Sequence, residues 1–229
     1  MGHIGLVWIV FGAIALIRFA VQANLKRKFS EYSQELLGNG MSGKDIAEKM
    51  LRDHGITDVS VISTAGQLTD HYNPLQKTVN LSEEVYFGQS IMSAAVAAHE
   101  CGHAVQHARA YGPLTLRSKL VPIVSFSSQW ITWVLLIGII TIQTFPQLML
   151  LGIIMFGMTT LFSFVTLPVE IDASKRALVW LRGAGVTTNF NQPKAASALR
   201  AAAYTYVVAA LSSLATLIYY ILIFLGRRN

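Results

Sequence analysis

Two histidines and a glutamate in the segment His99-Glu100-Cys101-Gly102-His103 have the spacing of a zinc-binding hydrolytic site. Residues four apart share one helix face, so both imidazoles can bind one zinc ion while Glu100 reaches a water on it. Zinc lowers the pKa of such a water to about 7 and polarises a peptide carbonyl, and the glutamate takes and then returns the proton. The pattern therefore predicts peptide-bond hydrolysis; two buried, hydrogen-bonded histidines are the simpler alternative.

A catalytic zinc site needs a third protein ligand. His107 continues the four-residue series, but on a straight helix it lies about 12 Å along the axis from His99, too far for bonds of about 2 Å. We therefore expect His107 to lie beside the site or at an interface. Glu170 is the better candidate, because a carboxylate directly after an apolar segment needs a cation or a partner. Asp172 is expected to orient a histidine or to be a rival ligand.

The composition predicts that these residues belong to a membrane protein. Of the 229 residues, 53% are hydrophobic and only 13% are charged, whereas soluble domains carry about 25% charged residues. The lone cysteine, Cys101, excludes an internal disulfide framework and is expected to contribute packing. Four segments are apolar and long enough to cross a bilayer. They cover residues 4–23, 120–144, 148–168 and 204–225, the middle two forming a hairpin.

The distribution of basic residues predicts the orientation of the chain. Of the 18 Lys and Arg residues, 10 lie in 24–119 and 5 lie in 169–203, so both segments are expected in the cytoplasm and the N-terminus outside. Arg227 and Arg228 are exceptions. A cleavable signal peptide is the alternative for the first span, but it lacks basic residues at its start. Two spans separate His103 from Glu170, so both residues are expected on the same side.

These assignments give a layout of five segments. We expect an N-terminal anchor (1–23), a cytoplasmic α+β catalytic subdomain (24–119), a transmembrane hairpin (120–168), a cytoplasmic segment with the third ligand (169–203) and a C-terminal span (204–229). Within the catalytic subdomain, the pattern predicts a capped helix from Ser42 to His54, strands over 59–63 and 77–81, a turn over 70–74 and a helix from Gln89.

Several motifs together resemble one known family. The segments are Asp70-His71-Tyr72-Asn73-Pro74, Lys77-Thr78-Val79-Asn80-Leu81-Ser82, Ala97-Ala98-His99-Glu100-Cys101-Gly102-His103-Ala104 and Glu170-Ile171-Asp172-Ala173. Their combination resembles the neutral zinc metallopeptidases of bacterial membranes, the YugP-like family, over nearly the whole chain. The chain is more distantly similar to the HtpX and CAAX-prenyl-protease group, whose third-ligand motif is matched by Glu170, Ala173 and Ala177. Ser174 stands where that group has an aspartate.

The resemblance implies a mainly α, four-span helical membrane protein with a small α+β zincin-like cytoplasmic domain carrying the HExxH helix. It implies Zn²⁺ at His99, His103 and Glu170, with Glu100 as the base, in a bacterial cell membrane. In such folds the strand before the metal helix holds substrate backbone; we expect that strand over 77–81, at Val79 and Asn80, or else a plain sheet edge. His71 and Tyr72 are candidates to stabilise the oxyanion, or simply surface-turn residues.

Two classes of function remain open from the sequence. The first is a membrane-bound zinc endopeptidase that hydrolyses membrane or membrane-proximal polypeptides. The alternative is a non-catalytic, zinc-containing membrane scaffold or partner-binding protein, for which a fourth ligand such as Cys101 or His107 would argue. The basic residues follow the membrane pattern without interleaved aromatics, so no nucleic-acid partner is expected. The oligomeric state is not determined by the sequence.

Overall fold

The chain is mainly helical, with one small sheet. The computed structural model describes residues 2–226, with side chains described from Ile9 onward. The helices are α1 (Gly2–Ser33), α2 (Gly43–Asp53), α3 (Glu83–Phe87), α4 (Ile91–Ala108), α5 (Gly112–Ile140), α6 (Pro146–Gly183) and α7 (Gln192–Gly226), and the strands are β1 (Ser60–Thr64), β2 (His71–Asn73) and β3 (Thr78–Ser82).

Four of the helices, α1, α5, α6 and α7, are long and apolar enough to cross a membrane. The four apolar segments expected from the sequence are therefore confirmed as helices. Three of the helices run beyond the predicted span at both ends, whereas α5 begins before residue 120 and ends at Ile140, four residues before the predicted end at 144. The clearest case is α6, which continues to Gly183 with Pro168 inside it. The apolar segment that ends at Pro168 and the segment that carries Glu170 are thus one uninterrupted helix.

The described chain divides into two compact units. The first comprises residues 2–15, 112–168 and 206–226, so it contains α5 and the apolar parts of α1, α6 and α7. In this unit a Cβ built on Gly138 of α5 would lie 2.8 Å from Met149 Cα of α6, so the glycine permits close helix packing. The hydroxyls of Thr160 and Ser213 form a hydrogen bond of 2.8 Å between α6 and α7, which satisfies polar groups within an apolar bundle.

The second unit comprises residues 16–111 and 169–205 and contains the candidate site. Its helix α2 begins with a capping box, in which the Ser42 hydroxyl accepts from the Asp45 amide and the Asp45 carboxylate accepts from the Ser42 amide. The apolar face of α2 is fully buried at Ile46 and Met50. All the alanines of α4 except Ala108 belong to the same core, and their small side chains let α4 pack closely against its neighbours.

The three-stranded sheet differs from the expected strand pair. The segment predicted as a turn contains β2, because Asn73 accepts hydrogen bonds from the amides of Leu75 and Gln76 and so closes a tight turn into β3. Lys77 completes that turn with a positive φ of 52°. The sheet order is β1-β3-β2, with β3 parallel to β1 and antiparallel to β2.

The position of β3 corrects the expected substrate strand. Val79 is paired with Val61 on one side and with Tyr72 on the other, and Asn80 is paired with Ile62 and His71. A strand with hydrogen-bonded neighbours on both sides has no edge at which another strand can add. The interpretation of Val79 and Asn80 as an open substrate-binding edge is therefore wrong; the neighbouring edge strand is β2.

Candidate metal centre

Helix α4 carries the two histidines at the expected spacing. The helix is capped by Ser90, whose hydroxyl accepts a hydrogen bond of 3.0 Å from the Ser93 amide. His99 and His103 lie one turn apart, with ring centroids 4.9 Å apart. The His99 side chain is 14% exposed and that of His103 is 9% exposed. The pair is thus largely enclosed by protein.

Helix α6 brings Glu170 to this pair through a close approach to α4. A Cβ built on Gly102 would lie 2.7 Å from the Ala173 carbonyl oxygen and 3.1 Å from its Cα. Ala173 and Ala177, on the face of α6 that also carries Glu170, are fully buried. Small residues at these positions therefore let the two backbones touch and place the Glu170 carboxylate beside the histidines.

We expect Gly102→Ala to disturb the site, because the obstructing atoms are backbone atoms that cannot rotate away. Separating α4 from α6 should destabilise the protein by about 1–3 kcal/mol and lower its zinc content. Thermal unfolding and metal analysis of the purified protein measure both effects. Gly157→Ala is the matched control, since a Cβ at this other helical glycine meets no atom within 4 Å. Equal unfolding temperatures and zinc contents for the two variants would contradict this explanation.

The donor atoms of His99, His103 and Glu170 form a compact group, all lying within 4.8 Å of one another. Glu170 Oε2 lies 3.3 Å from His99 Nε2 and 3.6 Å from His103 Nε2. Tetrahedral zinc with bonds of about 2.0–2.2 Å separates its ligand atoms by about 3.3–3.6 Å. The spacing and the two-imidazole, one-carboxylate chemistry both fit zinc, and three protein ligands leave a fourth position for water.

The electrostatics of this group favour a positive charge. Burial disfavours protonation of His103, but its interaction with the Glu170 carboxylate and the charge of Glu100 outweigh that penalty and raise the pKa of His103. Glu100, the residue directly after His99, is itself buried, at 9% exposed. An enclosed site with a carboxylate beside two imidazoles is one that a metal cation can occupy.

A second layer of contacts orients both histidines. Ser174 Oγ lies 3.1 Å from His99 Nδ1, and Gln106 Oε1 lies 3.1 Å from His103 Nδ1. Asp172 does not join the ligand group; it accepts a hydrogen bond of 2.8 Å from Gln106 and so reaches His103 indirectly. No sequence pattern pointed to Gln106, and Ser174 differed only in replacing the aspartate of a related motif.

The remaining predicted residues lie outside the ligand group found among residues 2–226. His107 Nδ1 lies 2.9 Å from the Tyr72 hydroxyl, so these two residues contact each other. His71 is exposed and its Nδ1 lies 2.7 Å from the Thr69 carbonyl oxygen. The Cys101 thiol donates to the Ala47 carbonyl of α2, and burial raises its pKa. Neither Cys101 nor His107 is therefore placed as a fourth ligand.

The apolar helices and the site together define a class, a membrane protein with a His-His-Glu group on two adjoining helices that could hold a metal ion. Residues 7–225 match the family described as "Putative neutral zinc metallopeptidase", and the chain belongs to that family. It is 40% identical over 223 residues to the "Putative membrane protease YugP" of Bacillus subtilis (strain 168). The aligned region covers 97% of this chain and 98% of the relative. No solved structure matches the chain significantly. The family expected from the motifs is thus confirmed.

Proposed function

We propose that the protein is a membrane-bound zinc endopeptidase that hydrolyses peptide bonds of membrane or membrane-proximal proteins. The observation that carries the proposal is the group of His99, His103 and Glu170, together with the buried Glu100 that follows His99 in the chain. The family description and the name of the Bacillus relative agree with this chemistry. A site with only three protein ligands has the open position that catalysis requires.

Each residue has a defined part in this reaction. When zinc is bound, it polarises the scissile carbonyl and acidifies the attacking water. Glu100 takes a proton from that water as the new C–O bond forms, and returns it to the amine nitrogen as the C–N bond breaks. His99, His103 and Glu170 would hold the metal, and the hydrogen bonds to Ser174 and Gln106 keep the two imidazoles in place.

The edge strand β2 is the proposed place for substrate backbone. Its inner side is paired with β3, and its outer side is the edge to which an extended peptide can add. Tyr72 of β2 contacts His107, which lies one helical turn beyond His103 on α4. Strand addition at β2 would therefore place a peptide alongside the metal-binding helix, as was expected of β3.

The proposed setting follows the distribution of charge. We place the catalytic segments 24–119 and 169–203 in the cytoplasm, with the anchor 1–23, the hairpin 120–168 and the span 204–229 in a bacterial cell membrane and the N-terminus outside. The support is the 15 Lys and Arg residues in the two segments. The two segments lie on the same side, as joint binding of one metal by His103 and Glu170 requires.

A comparison of membrane proteomes tests this proposal. Cells that produce the wild-type protein should accumulate fragments of membrane proteins that are absent from cells producing Glu100→Gln at the same level. Glu83→Gln, which alters an exposed glutamate of α3, is the matched control and should give the wild-type fragments. Identical fragment patterns in wild type and Glu100→Gln would overturn the peptidase proposal and favour the zinc-containing scaffold.

A further inference from the structure

Gln106 is a fully buried amide, at 0% exposed, three residues beyond His103 on α4. Both ends of the amide have partners. Its oxygen lies 3.1 Å from His103 Nδ1. Its nitrogen donates two hydrogen bonds to α6, each of 2.8 Å, one to the Val169 carbonyl oxygen and one to Asp172 Oδ2. The side chain thus connects the metal-binding histidine to the helix that carries the third ligand.

The contacts with α6 determine which way the amide faces. A backbone carbonyl can only accept a hydrogen bond, and so can an ionised carboxylate. The Nε–H of Arg176 also donates to Asp172 Oδ2, at 2.5 Å, so this oxygen acts as an acceptor. If the Gln106 amide were reversed, its oxygen would face two acceptors inside a buried site, and both hydrogen bonds would be lost. The amide nitrogen must therefore face α6 and the oxygen must face His103.

This orientation decides where the proton of His103 resides. The amide oxygen can only accept, and it lies 3.1 Å from Nδ1. The acceptor on the other side of the ring, Glu170 Oε2, is farther away, at 3.6 Å from Nε2, so the single hydrogen of a neutral imidazole belongs on Nδ1. Nε2, which lies on the side of Glu170 Oε2, is then left with its lone pair free to bind a cation. Resting on the proposed metal site, we infer that Gln106, locked by Asp172 and the Val169 carbonyl, is a positioning residue that fixes His103 in the metal-binding tautomer.

His99 provides the contrast. Its Nδ1 contacts the Ser174 hydroxyl, and a hydroxyl can donate or accept. Ser174 therefore accepts either tautomer of His99, whereas Gln106 accepts only one tautomer of His103. The two histidines should respond differently when their partners are changed.

Zinc affinity, measured by chelator competition on the full-length protein in detergent, tests the inference. Gln106→Leu and Gln106→Glu should each weaken zinc binding by about 10–100-fold, the second because a carboxylate cannot donate to Asp172. In the double variant Gln106→Glu/Asp172→Asn, the amide introduced at position 172 can donate a hydrogen bond to the carboxylate at position 106. This variant should recover most of the lost zinc affinity. Gln192→Leu is the matched control: Gln192 donates to the Leu178 carbonyl, away from the metal group, and its loss should leave zinc affinity unchanged.

The tautomer itself gives a readout that does not depend on zinc. In zinc-free protein with ¹⁵N-labelled histidine, at a pH where the ring is neutral, the single ring hydrogen of His103 should reside on Nδ1 in wild type, whereas Gln106→Leu should give a mixture of the Nδ1–H and Nε2–H tautomers. An Nε2-protonated His103 in wild type overturns the inference even if the wild type binds no zinc, a result that would overturn the proposed function separately. Equal zinc affinity in wild type and Gln106→Glu, or no recovery in the paired variant, also overturns it. If Gln106→Leu does not fold, the zinc affinities of Gln106→Glu and of the double variant Gln106→Glu/Asp172→Asn test the inference instead.

Discussion

Replacing Glu100 with glutamine should lower the rate of peptide hydrolysis by about 10³-fold while zinc stays bound. The glutamine side chain has nearly the same size and shape, and the three proposed ligands, His99, His103 and Glu170, are untouched. What is lost is the carboxylate that takes and returns a proton. A variant that binds the metal normally but does not hydrolyse peptides is the signature of a missing base.

Purified wild type and Glu100→Gln should therefore be compared for zinc content by mass spectrometry and for cleavage of a peptide identified from the proteome comparison. Glu83→Gln controls for the loss of one negative charge, since Glu83 is exposed. A hydrolysis rate within threefold of wild type would show that Glu100 is not the base. Loss of zinc from Glu100→Gln would show instead that the residue holds the metal.

Replacing Glu170 with glutamine should have a different effect from Glu100→Gln, because the variant should lose the metal itself. A structural zinc site of four ligands is worth about 10–16 kcal/mol, so the loss of one charged ligand should weaken binding at least about 100-fold. Glu170 is 3% exposed, and an amide at this buried position would remove the carboxylate that lies 3.3 Å from His99 and 3.6 Å from His103. Hydrolysis should fall with zinc occupancy and return in part at high zinc concentration.

Chelator competition measures the affinity, and thermal unfolding provides an independent check. Zinc should raise the unfolding temperature of wild type and of Glu100→Gln, because a ligand that binds only the folded state stabilises it. The same addition should leave Glu170→Gln nearly unchanged. A wild-type zinc response in Glu170→Gln would remove Glu170 from the ligand set.

The metal-binding group was predictable because its information is local or topological. His99 and His103 are identified by their four-residue spacing on a helix that is rich in alanine. Glu170 lies 67 positions beyond His103 in the chain, yet two intervening apolar segments require it to return to the same side. A chain that crosses a membrane has only two sides on which a segment can lie, so an even number of spans between two residues places both residues on the same side.

The sheet and the histidine partners were not predictable in the same way. β2 has three residues and a composition typical of turns, and it forms only because Asn73 closes the turn that pairs it with β3. Gln106 looks like any polar residue near a helix end. Its role depends on Asp172 and on the Val169 carbonyl, more than 60 positions away, and on the close approach of α4 to α6 at Gly102. No pattern within one segment reports such contacts.

The buried state of Cys101 has a practical consequence for chemical labelling. The protein has one cysteine, its thiol donates to a backbone carbonyl in the core, and a buried thiol with a raised pKa is a poor nucleophile. We therefore expect the native protein to react little with maleimide reagents, so that labelling of a variant reports on its introduced cysteine alone. A single introduced thiol, for example Leu75→Cys at a side chain that is 95% exposed on the β2–β3 turn, reports on which face of the bilayer that turn is accessible.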